Sequence, residues 1–291
     1  MTKINGFWFL VAGCWLLSTS FWVHGRPQPG NPPVLRQSGQ QGSGGCGIQN
    51  SVFQKGEKLT YKIYYNLNFV WVPAGEATFS IDEDEHQYHF TAHGKTYASY
   101  EWFYKVRDDY ESWVDKNTLF PTYATRSIRE GGYSKYEKVL FDQNGRTTKV
   151  WRAKKKDDPE TESVHSVQDC VHDLVSVMFY LRNIDFSDKN YGFAAPIRVY
   201  LDEEEYPLSL VCQGKKEKKK VYGMGQYRCL QFEPQLIAGN VFKEGDKMQV
   251  WVSDDANKVP LLIESPVSVG SVKMVLKDYW GLRYPFTAKV D

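Results

Sequence analysis

Apolar and polar residues alternate with period two through most of the chain, and nothing else in the sequence limits its folding options as strongly. Leu59, Tyr61, Ile63 and Tyr65 alternate with Lys58, Thr60, Lys62 and Tyr64. Ala77, Phe79 and Ile81 alternate with Glu76, Thr78 and Ser80, and Tyr88, Phe90 and Ala92 with His89, Thr91 and His93. A strand turns successive side chains to opposite faces, so this pattern predicts antiparallel strands with one buried face. Turn residues separate the runs at 82–86, 115–117, 130–132 and 143–145, and Asn144-Gly145 predicts a tight hairpin. Further strands are predicted over 197–202, 208–213, 218–222, 227–233, 248–253, 261–264 and 271–279. One segment departs from the rhythm. Val171, Leu174, Val175, Met178 and Leu181 fall on a helical stripe, which predicts a helix over 167–183 opened by a capping box at Ser166–Asp169.

Strands, one helix and strands again exclude a doubly wound nucleotide-binding fold, which needs alternating βα units. About twelve short strands are too many for a flat open sheet, which curls or closes. The expectation is a mainly β fold: a large curved antiparallel sheet, barrel or half-barrel-like, with one packed helix. Two consecutive sheets joined by the helix would also fit.

The N-terminus predicts export. Lys3 precedes a mostly apolar stretch from Phe7 to Val23, and Val23-His24-Gly25 forms a cleavage site before Arg26, giving a signal peptide over 1–25. Val11-Ala12-Gly13-Cys14 spells a competing lipobox, but Trp15-Leu16-Leu17 continues the apolar run beyond it. A retained anchor is a third option, at the short limit for a membrane span. Residues 26–52 read as a Pro-, Gly- and Gln-rich linker, and 53–291 as one β-rich domain.

Removing 1–25 takes away only Lys3 among charged residues and leaves 35 basic against 35 acidic side chains. That balance argues against nucleic-acid binding, which needs a basic footprint. No Gly-x-Ser-x-Gly elbow, Walker loop or His-Glu-x-x-His helix occurs, and no cofactor is expected. His89 and His93 share a strand face about 13–14 Å apart, too far to hold one metal, so no metal site is expected. Cys170 and His172 point apart on a helix and make no nucleophile pair. Asp254-Asp255-Ala256-Asn257 lacks the spacing of a calcium loop and is expected to form a turn. Four cysteines follow the cleavage site: Cys46, Cys170, Cys212 and Cys229. Their pairing is open, but turns at 214–217 and 223–225 would put a strand between Cys212 and Cys229 and prevent that bridge.

Aromatics recur on the strands: Tyr61, Tyr65, Phe69, Trp71, Phe79, Phe90, Trp102, Phe103, Tyr104, Trp113, Trp151, Phe232, Trp251 and Trp280. Tyr61, Tyr65, Phe79, Phe90, Trp113 and Trp251 are candidates to line a cavity for an apolar guest, although core packing explains most such rings. Lys215, Lys216, Lys218, Lys219 and Lys220 form a basic run read as a hairpin, and Arg152 with Lys154, Lys155 and Lys156 forms a second. Two solvated loops would account for both runs. The functional alternative is docking on an anionic membrane surface, with both runs at one rim.

Several phrases resemble a known family, the domain of unknown function 3108. They are Phe53-Gln54-Lys55-Gly56-Glu57-Lys58-Leu59-Thr60-Tyr61, Val72-Pro73-Ala74-Gly75-Glu76-Ala77 and the segment Asp173 to Arg182. Cys229-Leu230-Gln231-Phe232-Glu233-Pro234, the segment Val250 to Leu261 and Val269-Gly270-Ser271-Val272 complete the set. The resemblance implies an exported bacterial envelope protein of no assigned activity, and it transfers no catalytic or binding residue. The strand–helix–strand order is also similar to the half-barrel lipoprotein carriers of the periplasm. The expected function is therefore non-enzymatic: binding or shuttling a lipid-like ligand, or holding a partner, in the periplasm or cell envelope. A carbohydrate-binding module or a sheet-edge interaction module are the alternatives.

Overall fold

A computed structural model describes residues 46–67, 70–102, 104–186, 191–234, 247–266 and 270–290. The predicted signal peptide and most of the linker lie outside them. No helix among the described residues is long and apolar enough to cross a membrane.

The N-terminal strands are β1 (Lys58–Leu67), β2 (Val70–Glu83), β3 (Gln87–Thr96), β4 (Arg107–Asp115), β5 (Pro121–Glu130), β6 (Tyr133–Asp142), β7 (Thr147–Ala153) and β8 (Thr161–Ser166). A short β9 (Val171–His172) leads into the helix α1 (Ser176–Asn183). Then follow β10 (Ala194–Leu201), β11 (Glu204–Val221), β12 (Gly225–Pro234), β13 (Gln249–Ser253), β14 (Pro260–Pro266) and β15 (Ser271–Trp280). All fifteen form one sheet in the order β8 back to β1, then β15 back to β9. The join is β1 against β15, with Ile63 opposite Met274. Every neighbour is antiparallel except β9 and β10.

The alternating residues behave as their pattern demands. Leu59, Tyr61, Ile63, Ala77, Phe79, Ile81, Phe90 and Ala92 are all buried in one core. Phe179 of α1 stacks on Phe90 of β3 at 4.1 Å between ring centroids and meets Phe53 edge-on at 5.4 Å. The helix also contributes Met178 and Leu181 toward β10–β14. It therefore touches strands far apart in the sheet order, so the sheet wraps around it.

The two ends of the sheet meet through side chains. Gln143 Nε2 donates to the Val171 carbonyl at 2.8 Å, and Arg152 Nη1 to Glu203 Oε2 at 2.6 Å. Ser163 Oγ donates to Glu203 Oε1 at 2.7 Å, and the Gln168 amide to Glu205 Oε2 at 2.6 Å. Arg126 and Lys135 both pair with Asp202. Asp202 and Glu203 are the two-residue turn between β10 and β11, with φ of 53° and 70°. Such a turn favours glycine and asparagine. Here the ion pairs hold two acidic residues in it.

Two elements differ from the expectation. The helix starts at Ser176 rather than near 167, because Cys170 is bridged to Cys46 and adopts φ 65°, which a helix does not allow. Asp173, not the capping box at Ser166–Asp169, satisfies the first turn: its Oδ1 accepts the Val175 and Ser176 amides at 2.7 and 3.0 Å. Second, β11 runs unbroken through 214–217, where a turn was expected. Its register shifts between Cys212 and Lys215, and Gly214 at φ 89° absorbs the bulge. Cys212 and Cys229 thus share one long hairpin without a strand between them. They still do not bridge, because Cys212 faces Phe232 and Cys229 faces Lys216. The lysine run lies along this strand, not at a hairpin tip.

Candidate binding cavity

The cavity arises where the end of α1 leaves the sheet. On β12 and β13, Leu230 faces Val252 and Phe232 faces Val250, so four apolar side chains project together on one face. Ile263 continues the row opposite Val250. Leu208 and Leu210 of β11 and Ile197 of β10 form the adjoining wall. Above them, Met178 and Leu181 are three residues apart on α1 and so point the same way, and Phe186 follows the helix. These side chains enclose about 250 Å³. That exceeds the roughly 150 Å³ of a dry apolar cavity that accepts benzene.

One end of the cavity is polar, built by Arg182 in the last turn of α1, Asp185 just after it, and Asp254, Asp255 and Lys258 in the turn between β13 and β14. Arg182 and Glu57 form a buried ion pair, and Arg182 Nη2 also donates to the Asn257 carbonyl at 2.8 Å. Lys258 Nζ donates to the Ile184 carbonyl at 2.9 Å, and burial lowers its pKa. Asp255 Oδ1 accepts from Ser253 Oγ at 2.9 Å and from the Asn257 amide at 3.1 Å, while Oδ2 accepts the Ala288 amide at 3.1 Å. The acidic loop is therefore a turn, as expected, and it pins the C-terminal segment.

None of the six aromatic candidates lines this cavity. Tyr61, Tyr65, Phe79, Phe90 and Trp251 are buried core residues. Tyr61 meets Phe79 edge-on at 5.7 Å and donates its hydroxyl to the Pro260 carbonyl at 2.9 Å. The Lys219 ammonium lies 3.5 Å from the Trp251 ring centroid, and Trp113 stacks on His89 at 4.4 Å. His89 pairs with Glu111 and His93 with Asp109, each across to the next strand. Among the described residues, Phe232 is the one of these recurrent strand aromatics that faces the cavity. The other apolar side chains that the strands contribute, Ile197, Leu208, Leu210, Leu230, Val250, Val252 and Ile263, are aliphatic and have the chemistry of ordinary core, so no pattern in the sequence marks them.

Lys218 and Lys220 are exposed and Lys219 is half-buried; the side chains of Lys215 and Lys216 lie outside the described residues. Following the strand directions, the lysine-bearing end of β11 lies at the end of the sheet that carries the β13–β14 turn. Lys154, Lys155 and Lys156 sit in the β7–β8 turn at the opposite end, beside the Asp202–Glu203 turn that Arg152 reaches. The two basic runs therefore do not share a rim, because an odd number of antiparallel steps separates their turns.

The family model described as "Protein of unknown function (DUF3108)" matches residues 60–277. Among solved structures, this chain is similar to a "beta-barrel-like protein of domain of unknown function DUF1849" from Brucella abortus. The identity is 9% with a TM-score of 0.52, over 79% of this chain and 98% of that one. A putative lipoprotein from Parabacteroides distasonis aligns over 80% of this chain and all of its own at 10% identity, with a TM-score of 0.28, too low to argue a shared fold. No curated protein matches.

Proposed function

The chain belongs to the DUF3108 family, whose name assigns no activity, and on that premise we propose that it is a non-enzymatic exported envelope protein that holds an apolar, lipid-like guest. The observation that carries this reading is the aliphatic cavity between α1 and β10–β14. Sites for small molecules are concave and mostly apolar, with a few polar groups that fix orientation, and this one has that division along its length. The Cys46–Cys170 bridge supports export, since such bridges persist in oxidising compartments. A sugar platform is less well supported. Trp102 lies between β3 and β4, at the end of the sheet opposite Trp280, so the two most exposed tryptophans among the described residues cannot share one flat surface.

The test is calorimetric titration of purified protein with 1-decanol. Binding with a negative heat-capacity change is expected, since apolar surface leaves water. Val250→Trp, which puts an indole into the cavity, should weaken binding at least tenfold while the far-ultraviolet circular dichroism stays the same. Absence of decanol binding to the wild type at two temperatures would sink the proposal.

A further inference from the structure

The sheet ends at β8, and the outer edge of that strand carries no further strand. The Val167 amide donates to the carbonyl of Arg146, directly opposite it. Bonded pairs recur at every second residue of an antiparallel ladder. Thr161, Ser163 and His165 therefore bond β7, while Glu162, Val164 and Ser166 direct their backbone groups outward. Among the described residues, no other element bonds those outward groups. The contacts that complete the perimeter leave from the inner face instead: Ser163 Oγ and His165 Nε2 reach Glu203 at 2.7 and 3.5 Å. On the outer face, Val164 is 64% exposed. An open edge strand is a template for pairing with another chain, and proteins blunt such edges with lysine, proline or a bulge. Thr-Glu-Ser-Val-His-Ser of β8 has none of these.

The same six residues fit a reversed copy of themselves. With Val164 facing its equivalent across a two-fold axis, Glu162 faces Ser166 and Ser163 faces His165, and no like charges are opposed. A shift of two residues either way would set Val164 against Glu162 or Ser166 instead. The chosen register also extends an apolar row. Leu140 of β6 faces Lys149 of β7, which faces Val164, and Leu140 is itself 45% exposed.

We infer that β8 is a self-recognition edge, through which two copies of the chain join their sheets antiparallel across Val164. A contact of one short strand a side is on the scale of transient complexes, below about 1,200 Å². The dimer therefore forms at high concentration and dissociates on dilution. β8 shares no residue with the cavity lining, so association needs no guest.

Sedimentation equilibrium of the purified protein, from low micromolar to about 1 mM, should show a reversible monomer–dimer equilibrium. Val164→Lys opposes two ammonium groups at the axis and should raise the dissociation constant at least tenfold. Its far-ultraviolet circular dichroism should stay the same, because the replaced side chain is exposed. Val164→Cys should form a bridged dimer in air, since opposed residues of a bonded pair lie about 5.5 Å apart between Cα atoms, within disulfide range. Glu162→Cys, which faces Ser166 of the second copy, should bridge at least tenfold less. Cys212 and Cys229 are buried and do not compete. A wild type that is monomeric at every concentration overturns the inference and leaves the edge to a different chain. A dimer that Val164→Lys does not weaken overturns β8 as its interface, and equal bridging by the two cysteine variants overturns the register.

Discussion

The buried ionisable residues respond to pH in opposite directions. Glu137 sits among Arg126, Lys135 and Arg152, and these cations hold its pKa down at about 2 against the opposing effect of burial. His172 is buried and uncharged, and loss of solvent lowers its pKa to about 3. Both groups bind fewer protons folded than unfolded, so the stability they contribute is present above their unfolded values and lost as pH falls through the acid range. Asp108 and Glu130 form the reverse case. They are buried side by side and hydrogen-bonded to each other, and burial raises both, Glu130 the more. Their contribution is fully present below the ordinary carboxylate range and falls as pH rises through neutrality, because the unfolded chain releases protons that the folded pair retains. Glu130→Gln keeps the shape and removes one titrating group. Urea unfolding of this variant from pH 5 to 9 should show a flatter alkaline decline than the wild type. Parallel curves would mean that the pair does not retain its proton.

At the scale of the element, α1 has only eight residues, and a helix this short has little stability of its own. Its neighbours hold it: Phe179 between Phe53 and Phe90, and Arg182 on Glu57. Phe179→Ala should lower unfolding free energy by about 3–5 kcal/mol, the usual cost of emptying an aromatic core site. A loss within the error of denaturant unfolding would show that the helix is not held there. The Cys46–Cys170 bridge spans 124 residues, and Cys170→Ala should cost about 3–5 kcal/mol through the freed unfolded chain. The strands of the N-terminal half were legible because one face is buried and the other wet, which writes the period directly into Leu59–Tyr65 and Ala77–Ile81. The helix start was not, because a residue 124 positions away fixes Cys170. Nor was the continuity of β11, since Gly214 and a lysine run look like a turn whether the chain reverses or bulges. The cavity was illegible for a third reason. Its wall residues Leu230, Val250 and Val252 have the same chemistry as a filled core, and only the spacing between α1 and the sheet leaves a void.

At the scale of the whole molecule, each end of the sheet carries one basic run. Lys218 and Lys220 are exposed near the β11–β12 turn, as is Tyr222, at the end that also carries the polar mouth of the cavity. We propose that this end meets an anionic membrane surface. Lysines near such a surface contribute roughly 1 kcal/mol each. Co-sedimentation with phosphatidylglycerol-containing vesicles at low salt should weaken as salt rises, and Lys218→Gln/Lys220→Gln should reduce it several-fold. Wild-type protein that ignores these vesicles even at low salt would leave the lysines as solvation alone. The meeting of the sheet's two ends has another consequence, for how such a molecule can change over generations. In a closed barrel the number of strands, their tilt and the diameter are locked together, so gaining or losing one strand rebuilds every layer. Here the perimeter is completed by interchangeable ionic and amide side chains that impose no ladder register. A hairpin added or deleted beside β8 would leave the remaining pairings untouched, and the circumference is therefore a heritable variable that the rest of the architecture tolerates.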